Sequence, residues 1–390
     1  MEIPAIDVKW KIAPEFSISD KIPVENAKNI LIATSWRSGS SFLGDLLNHY
    51  PGTFYSFEPI HYIDFKKHQL KLSKKWRHDE ALKLMRDIYK CDYSTNITTG
   101  YLKHVSKSEN QFLLRHNGRV WKSCTSLLPS NAACFTPEFL NRVCPLFPIR
   151  LIKTVRLRMN LVEELLRDAD LSLKVIFLVR DPRGVMNSRD SMDWCSDSSA
   201  CSSVDVMCKD LFSDVRYANE LDEKYPGRLL LVRYEDLSMK PYHQVDEMVN
   251  FLNLPQERQF LDPYLVTHTG QKRSETVWME KFVKLKQEKP EKHPPNKSHG
   301  PYGTKRNASE ATAFNWTRTM KQGEIQEIEE ICEKPMKALG YAKFDPESTE
   351  DQEILSKSSD EIWPYFSFEH QQPQDLKGQL EEELSNAKVG

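Results

Sequence analysis

At 390 residues, 39% of them hydrophobic, the chain can bury a sizeable core as one large α/β domain or two smaller ones. A net charge of −2 excludes a general nucleic-acid or membrane-surface binder. No apolar run approaches the ~18–20 residues a membrane span needs, and Asp7, Lys9, Lys11, Glu15 and Asp20 leave no signal-peptide core.

Residues 1–28 read as an N-terminal extension without an anchor. Asn29–Thr34 is apolar enough for a buried strand, and it empties into the Ser/Gly loop Ser35–Ser41 and a helix from Ser41 to about Asn48. Gly52–Ser56 reads as a short second strand ending at the triplet Phe57-Glu58-Pro59. Asp79–Lys90 has helical periodicity; Leu151–Val155 is strand-like and leads into a helix at Asn160–Asp168. Lys174–Val179 is a candidate central parallel strand. It is followed by Arg180 and, eight residues on, by Ser188. Ser203–Lys224 reads as a long helix, Arg228–Val232 as a strand and Tyr242–Leu252 as a helix. Strands spaced by helical segments imply right-handed crossovers and a parallel sheet, with ligands at the carboxyl ends of its strands. Gln271–Thr304, rich in Lys, His and Pro, reads as a long surface loop, either a flap or a solvated insertion. Residues 345–390 form an acidic, polar tail in which Trp363, Tyr365, Phe366 and Phe368 are a candidate docking patch.

Eight cysteines exceed the needs of a cytosolic enzyme and lack metal-ligand spacing, so disulfides in an oxidising lumen are expected, with connectivity left open. Sequons at Asn96, Asn296, Asn307 and Asn315 agree with a secretory route. The acidic group Asp190, Asp193 and Asp197 has no hard-cation spacing and reads as loop surface, and no metal is expected. The basic group Arg150, Lys153, Arg156 and Arg158 reads as a solvated face or as a groove for an anionic polysaccharide.

Two strand-to-loop transitions, about 140 residues apart, carry most of the functional information. A small-residue loop opening a helix presents backbone N–H groups and a positive dipole end to an anion. Two such loops, one with Arg37 and the other with Arg180 and Ser188, suggest a nucleotide phosphorylated at two places. The first loop, Ser35-Trp36-Arg37-Ser38-Gly39-Ser40-Ser41, lacks the Gly-Lys pair of a nucleoside-triphosphate P-loop.

At these residues the chain resembles the sulfotransferases, in particular the Golgi carbohydrate 6-O-sulfotransferases acting on galactose, N-acetylglucosamine or N-acetylgalactosamine. R-x-G-S-S-F at Arg37–Phe42 is similar to the family's 5′-phosphosulfate loop, and VRDPRGVMNSR at Val179–Arg189 to its 3′-phosphate motif. The likeness continues through HYPGTFYSFEPIHY, YGTKRNASEATAFNW and IEEICEKPMKALGY, and so spans roughly Asn29 to Phe344. The resemblance implies an α/β sulfotransferase fold with a P-loop-like central parallel sheet, a catalytic domain over 29–344, and 3′-phosphoadenosine 5′-phosphosulfate (PAPS) as donor. It implies that Arg37, Ser38, Gly39, Ser40, Ser41 and Phe42 cradle the 5′ end, and that Arg180 and Ser188 grip the 3′-phosphate. Lys305 and Arg306 are candidate additional phosphate contacts, with plain surface charge as the alternative, and Arg189 has a weaker claim. Glu58 is the expected base, with a structural ion pair as the competing role; His61 is the runner-up, because an imidazole is neutral at neutral pH. The acceptor would be a glycan in the Golgi lumen. A kinase with a related nucleotide cradle and a silent glycan-binding relative are the competing classes.

Overall fold

A computed structural model describes residues 21–65, 75–127, 131–196, 198–256, 258–273, 304–306, 308–347 and 355. Its centre is a sheet of five strands: β1 (Lys28–Thr34), β2 (Thr53–Phe57), β3 (Ile149–Thr154), β4 (Lys174–Val179) and β5 (Leu229–Arg233). The order is β2-β3-β1-β4-β5, and every pairing is parallel. The apolar runs that define β1 and β4 are buried nearly throughout, as expected of strands covered on both faces. From β1 the chain runs to the edge strand β2, returns to β3 between them, then crosses β1 to β4 and β5 on the other side. The β1/β4 boundary is therefore where the winding reverses, and the loops after both strands face one crevice.

The flanking helices follow from amphipathic stretches between strands. Helix α1 (Ser40–Asn48) buries Leu43, Leu46 and Leu47. Helix α2 (Lys75–Tyr89) contributes Leu84, Met85 and Ile88 to the same core, and the Tyr89 hydroxyl donates to the Ile30 carbonyl at 2.8 Å. Helix α3 (Asn96–Val105) starts at Thr95, whose side chain accepts from the Thr98 N–H. Helices α4 (Met159–Leu166), α5 (Pro182–Asp190) and α6 (Val204–Lys224) follow β3 and β4, and α7 (Tyr234–Met239), α8 (Pro241–Phe251) and α9 (Arg258–Thr269) follow β5. Helix α10 (Gln322–Ile331) packs against α5 and α6. The main core cluster runs from Ile30 to Tyr341.

All eight cysteines are paired: Cys91–Cys144, Cys124–Cys134, Cys195–Cys201 and Cys208–Cys332. The last closes a separation of 124 residues and joins α6 to the end of α10, for a chain-entropy contribution of about 5 kcal/mol.

The basic group of β3 does not form a solvated face. β3 is an interior strand, so Arg150 and Lys153 are buried. Arg150 donates to the Tyr89 and Ile22 carbonyls, and Lys153 pairs with Glu58. Arg156 also pairs with Glu58, while Arg158 pairs with Asp210 and Asp214. Most of the Gln271–Thr304 stretch, the 345–390 tail beyond 347 apart from residue 355, and the sequons at Asn296 and Asn307 lie outside the described residues. Among the described residues no helix is long and apolar enough to cross a membrane.

Candidate cofactor and acceptor site

The loop after β1 is shaped by two left-handed residues, Arg37 (φ 71°) and Gly39 (φ 87°). At Gly39 a Cβ would lie 2.4 Å from Tyr234 Cδ2, so glycine is required there by both conformation and space. α1 begins at Ser40, with Ser38 and Ser40 buried and Ser41 and Phe42 partly exposed. Ser35 and Ser38 are joined through their hydroxyls at 3.0 Å. The result is a helix N-terminus whose first backbone N–H groups face the crevice end of the sheet.

The loop after β4 is held against it. Arg180 Nη1 donates to the Arg37 carbonyl at 3.0 Å, and Arg37 Nε donates to Ser188 Oγ on α5 at 2.9 Å. The guanidinium of Arg180 lies over the Tyr234 ring at 4.5 Å, so Tyr234 backs the loops after β1 and β4 at once. Asp181 is not the partner of Arg180. It caps α5 through the Arg183 N–H at 2.8 Å and binds the Arg183 guanidinium at 2.7 Å in a fully buried pair. That leaves Arg180 Nε buried with no hydrogen-bond partner among the described residues. A buried cationic donor in that state is costly without an anion to receive it. Beside Asp181, Glu235 is pushed up to about 7, by burial first and then by the Asp181 charge.

Arg189, expected to be a marginal phosphate contact, is instead buried and braces the first loop. Its guanidinium donates to the Trp36 carbonyl at 3.3 and 3.4 Å and to the Cys201 carbonyl at 3.0 Å. Thr304–Arg306 sits at the end of α9: the Arg306 N–H donates to the His268 carbonyl, His268 stacks on Tyr264 at 3.8 Å, and Tyr264 packs on Phe42 at 5.6 Å. Lys305 is exposed.

Glu58 follows β2 in a left-handed conformation (φ 50°), strain of order 1 kcal/mol for a residue with a Cβ. Its N–H donates to the Lys153 carbonyl at 2.9 Å. Its Oε1 accepts from Lys153 Nζ at 2.7 Å, and its Oε2 accepts from Arg156 Nη1 at 2.7 Å. Burial alone would raise its pKa, but Lys153 and Arg156 outweigh burial and hold the carboxyl below the usual range. His61 follows one helical turn later, with Nδ1 3.2 Å from His104 Nε2. Burial, then the Arg156 and His104 charges, lower its pKa from 6.5 to about 4, so it is neutral at pH 7. Arg156 also lies over the Trp36 ring at 5.6 Å, which links the Glu58 carboxylate to the loop after β1. Lys153, Arg156 and Tyr234 thus join the expected residues; Tyr234 carried no signal in the sequence.

Residues 27–340 match the sulfotransferase domain family, and the chain belongs to that family. It is an enzyme that transfers sulfate. The chain is 28% identical to carbohydrate sulfotransferase 1 of Mus musculus, covering 80% of this chain and 79% of the relative. It is 26% identical to carbohydrate sulfotransferase 2 of Homo sapiens, covering 84% and 67%. Among solved structures, the sulfotransferase domain of the Synechococcus PCC 7002 olefin synthase aligns at 18% identity and a TM-score of 0.40, over 81% of this chain and 95% of that one. Mouse sulfotransferase SULT7A1 complexed with PAP aligns at 13% identity and a TM-score of 0.38, over 84% and 88%.

Proposed function

We propose that the chain transfers the sulfuryl group of PAPS to the 6-hydroxyl of a galactose, N-acetylglucosamine or N-acetylgalactosamine residue in a glycan. The observation that carries this reading is the pairing of two phosphate loops through Arg37, Arg180 and Ser188, with an orphaned buried donor at Arg180 Nε. A nucleotide with phosphates at both the 5′ and 3′ positions fits that pair; a nucleoside triphosphate would need the Gly-Lys turn that this loop lacks. The carbohydrate class rests on the named relatives, and the 6-hydroxyl on motif resemblance.

PAPS would supply the sulfuryl group and a bisphosphate leaving group. Ser38–Ser41 and the α1 N-terminus would bind its 5′ end, and Arg180 and Ser188 its 3′-phosphate. Arg37 stays charged and so would stabilise negative charge on the leaving oxygen without giving up a proton. Glu58 is the base in this reading. Its two ion pairs keep it ionised and fix its direction, and its low proton affinity makes positioning a large part of its contribution. His61, neutral and one turn away, is the second candidate. Four disulfides and exposed Asn96 and Asn315 support a glycosylated enzyme of the Golgi lumen.

The test is transfer from labelled PAPS to galactose- and hexosamine-containing oligosaccharides by wild type, Glu58→Gln and His61→Ala. Turnover lost in Glu58→Gln with cofactor binding kept supports the assignment. Activity retained in Glu58→Gln and lost in His61→Ala would move the base to His61, and product sulfated away from the 6-hydroxyl would overturn that regiochemistry.

A further inference from the structure

Among the described residues only two large apolar side chains are exposed, Trp194 (39%) and Phe112 (36%). A single exposed aromatic needs no explanation. These two, however, stand at opposite ends of one continuous row of contacts. Trp194 meets Trp36 edge-on with ring centres 6.1 Å apart, and Trp36 lies under Arg156. Arg156 binds the Glu58 carboxylate, the Glu58 carbonyl accepts from the His61 N–H at 3.0 Å, and His61 meets Phe112 at 5.6 Å. The candidate base is therefore near the middle of this chain of contacts, which ends in an exposed aromatic in both directions.

Both ends are braced. Trp194 immediately precedes Cys195, which is bonded to Cys201, and Arg189 donates to both the Cys201 and the Trp36 carbonyls, tying the disulfide loop to Trp36. Phe112 sits on the 3-10 helix Ser108–Asn117, which packs along β2 and is tied back by Asn110 Nδ2 donating to the His104 carbonyl at 3.0 Å. Rings fixed in this way lose little freedom when a ligand stacks on them. A pyranose ring offers an apolar C–H face that stacks on an aromatic ring and hydroxyls that remain in water.

We propose that the acceptor glycan lies along this row, with sugar rings on Trp194 and Phe112 flanking the residue that receives sulfate. The inference rests on the glycan-sulfotransferase reading and adds to it the residues that select a chain over a single sugar. It assigns Trp194 and Phe112 to acceptor binding and leaves the cofactor loops untouched.

The test compares wild type, Trp194→Ala and Phe112→Ala with a hexasaccharide of alternating galactose and N-acetylglucosamine, with the corresponding monosaccharides, and with adenosine 3′,5′-bisphosphate. Each variant should raise KM for the hexasaccharide about tenfold, with kcat nearly unchanged. Monosaccharide KM should move by no more than about twofold, and nucleotide affinity should stay at the wild-type value, which also reports an intact fold. Trp194→Phe should recover most of the hexasaccharide affinity. Wild type that sulfates the hexasaccharide with the same KM as both alanine variants would overturn this inference alone. Wild type that binds the nucleotide and sulfates neither acceptor would overturn the glycan reading and this inference with it.

Discussion

Replacing Lys153 with methionine isolates the most unusual electrostatic feature of the site, a buried carboxylate shared by two cations. Lys153 and Glu58 are both buried, and the variant removes the 2.7 Å bond to Oε1 while Arg156 stays on Oε2. Breaking a buried pair typically costs about 3–5 kcal/mol, and the remaining Arg156 contact puts this case near 3. For a domain of this size that lowers the thermal midpoint by about 5 °C. The pH dependence has a definite sign. Lys153 and Arg156 depress the pKa of Glu58 in the fold, so its stabilisation is present above its unfolded pKa and is lost as pH falls through the folded one. The gap between wild type and variant should therefore be full at pH 7 and shrink in acid. With one cation gone, the carboxyl binds its proton more tightly, and the acid limb of the kcat profile should move to higher pH. The double variant Lys153→Met with Glu58→Gln should recover about 1–3 kcal/mol relative to the sum of the singles. Additive losses, or a midpoint for Lys153→Met within about 1 °C of wild type, would refute the argument that the two residues act as one buried unit.

Two further outcomes follow from local geometry. Gly39→Ala puts a methyl 2.4 Å from the Tyr234 ring at a backbone angle that alanine resists, so affinity for adenosine 3′,5′-bisphosphate should fall at least about tenfold. Calorimetry giving the wild-type affinity would contradict the tight-loop account. His61 has a folded pKa below its unfolded value, so its contribution is full above pH 6.5 and disappears as pH falls to about 4. Between those limits wild type should lose about 2–3 kcal/mol more stability than His61→Asn in urea titrations, and equal losses would show that His61 titrates normally.

The parts of the site that follow β1 and β4 were readable in the sequence because their signals are local. An unbroken apolar run ends in small residues, and the next helix begins at once; β4 was placed to the residue, and α1 and α6 to within one. β2 and β5 were each displaced by one residue, since strand ends are set by register with neighbours far away in the chain. Helices between 91 and 147 were not read. Asn96–Val105 carries β-branched residues and an internal glycine, and holds together through the burial of Ile97, Tyr101 and Leu102. The basic side chains of β3 misled for a related reason. Nothing near Arg150 or Lys153 in sequence reveals the Tyr89 carbonyl or Glu58, which only the sheet brings within reach. Tyr234 was equally silent, because its role is to fill the space beside a glycine 195 residues earlier.

The most direct test of the central claim is calorimetric binding of adenosine 3′,5′-bisphosphate, ADP and ATP to wild type and to Arg180→Ala. The account predicts tight binding that requires the 3′-phosphate and falls at least about a hundredfold in the variant, as expected when a buried charged contact to phosphate is removed. Equal affinity for ADP and the 3′,5′-bisphosphate, or no loss in Arg180→Ala, would contradict it.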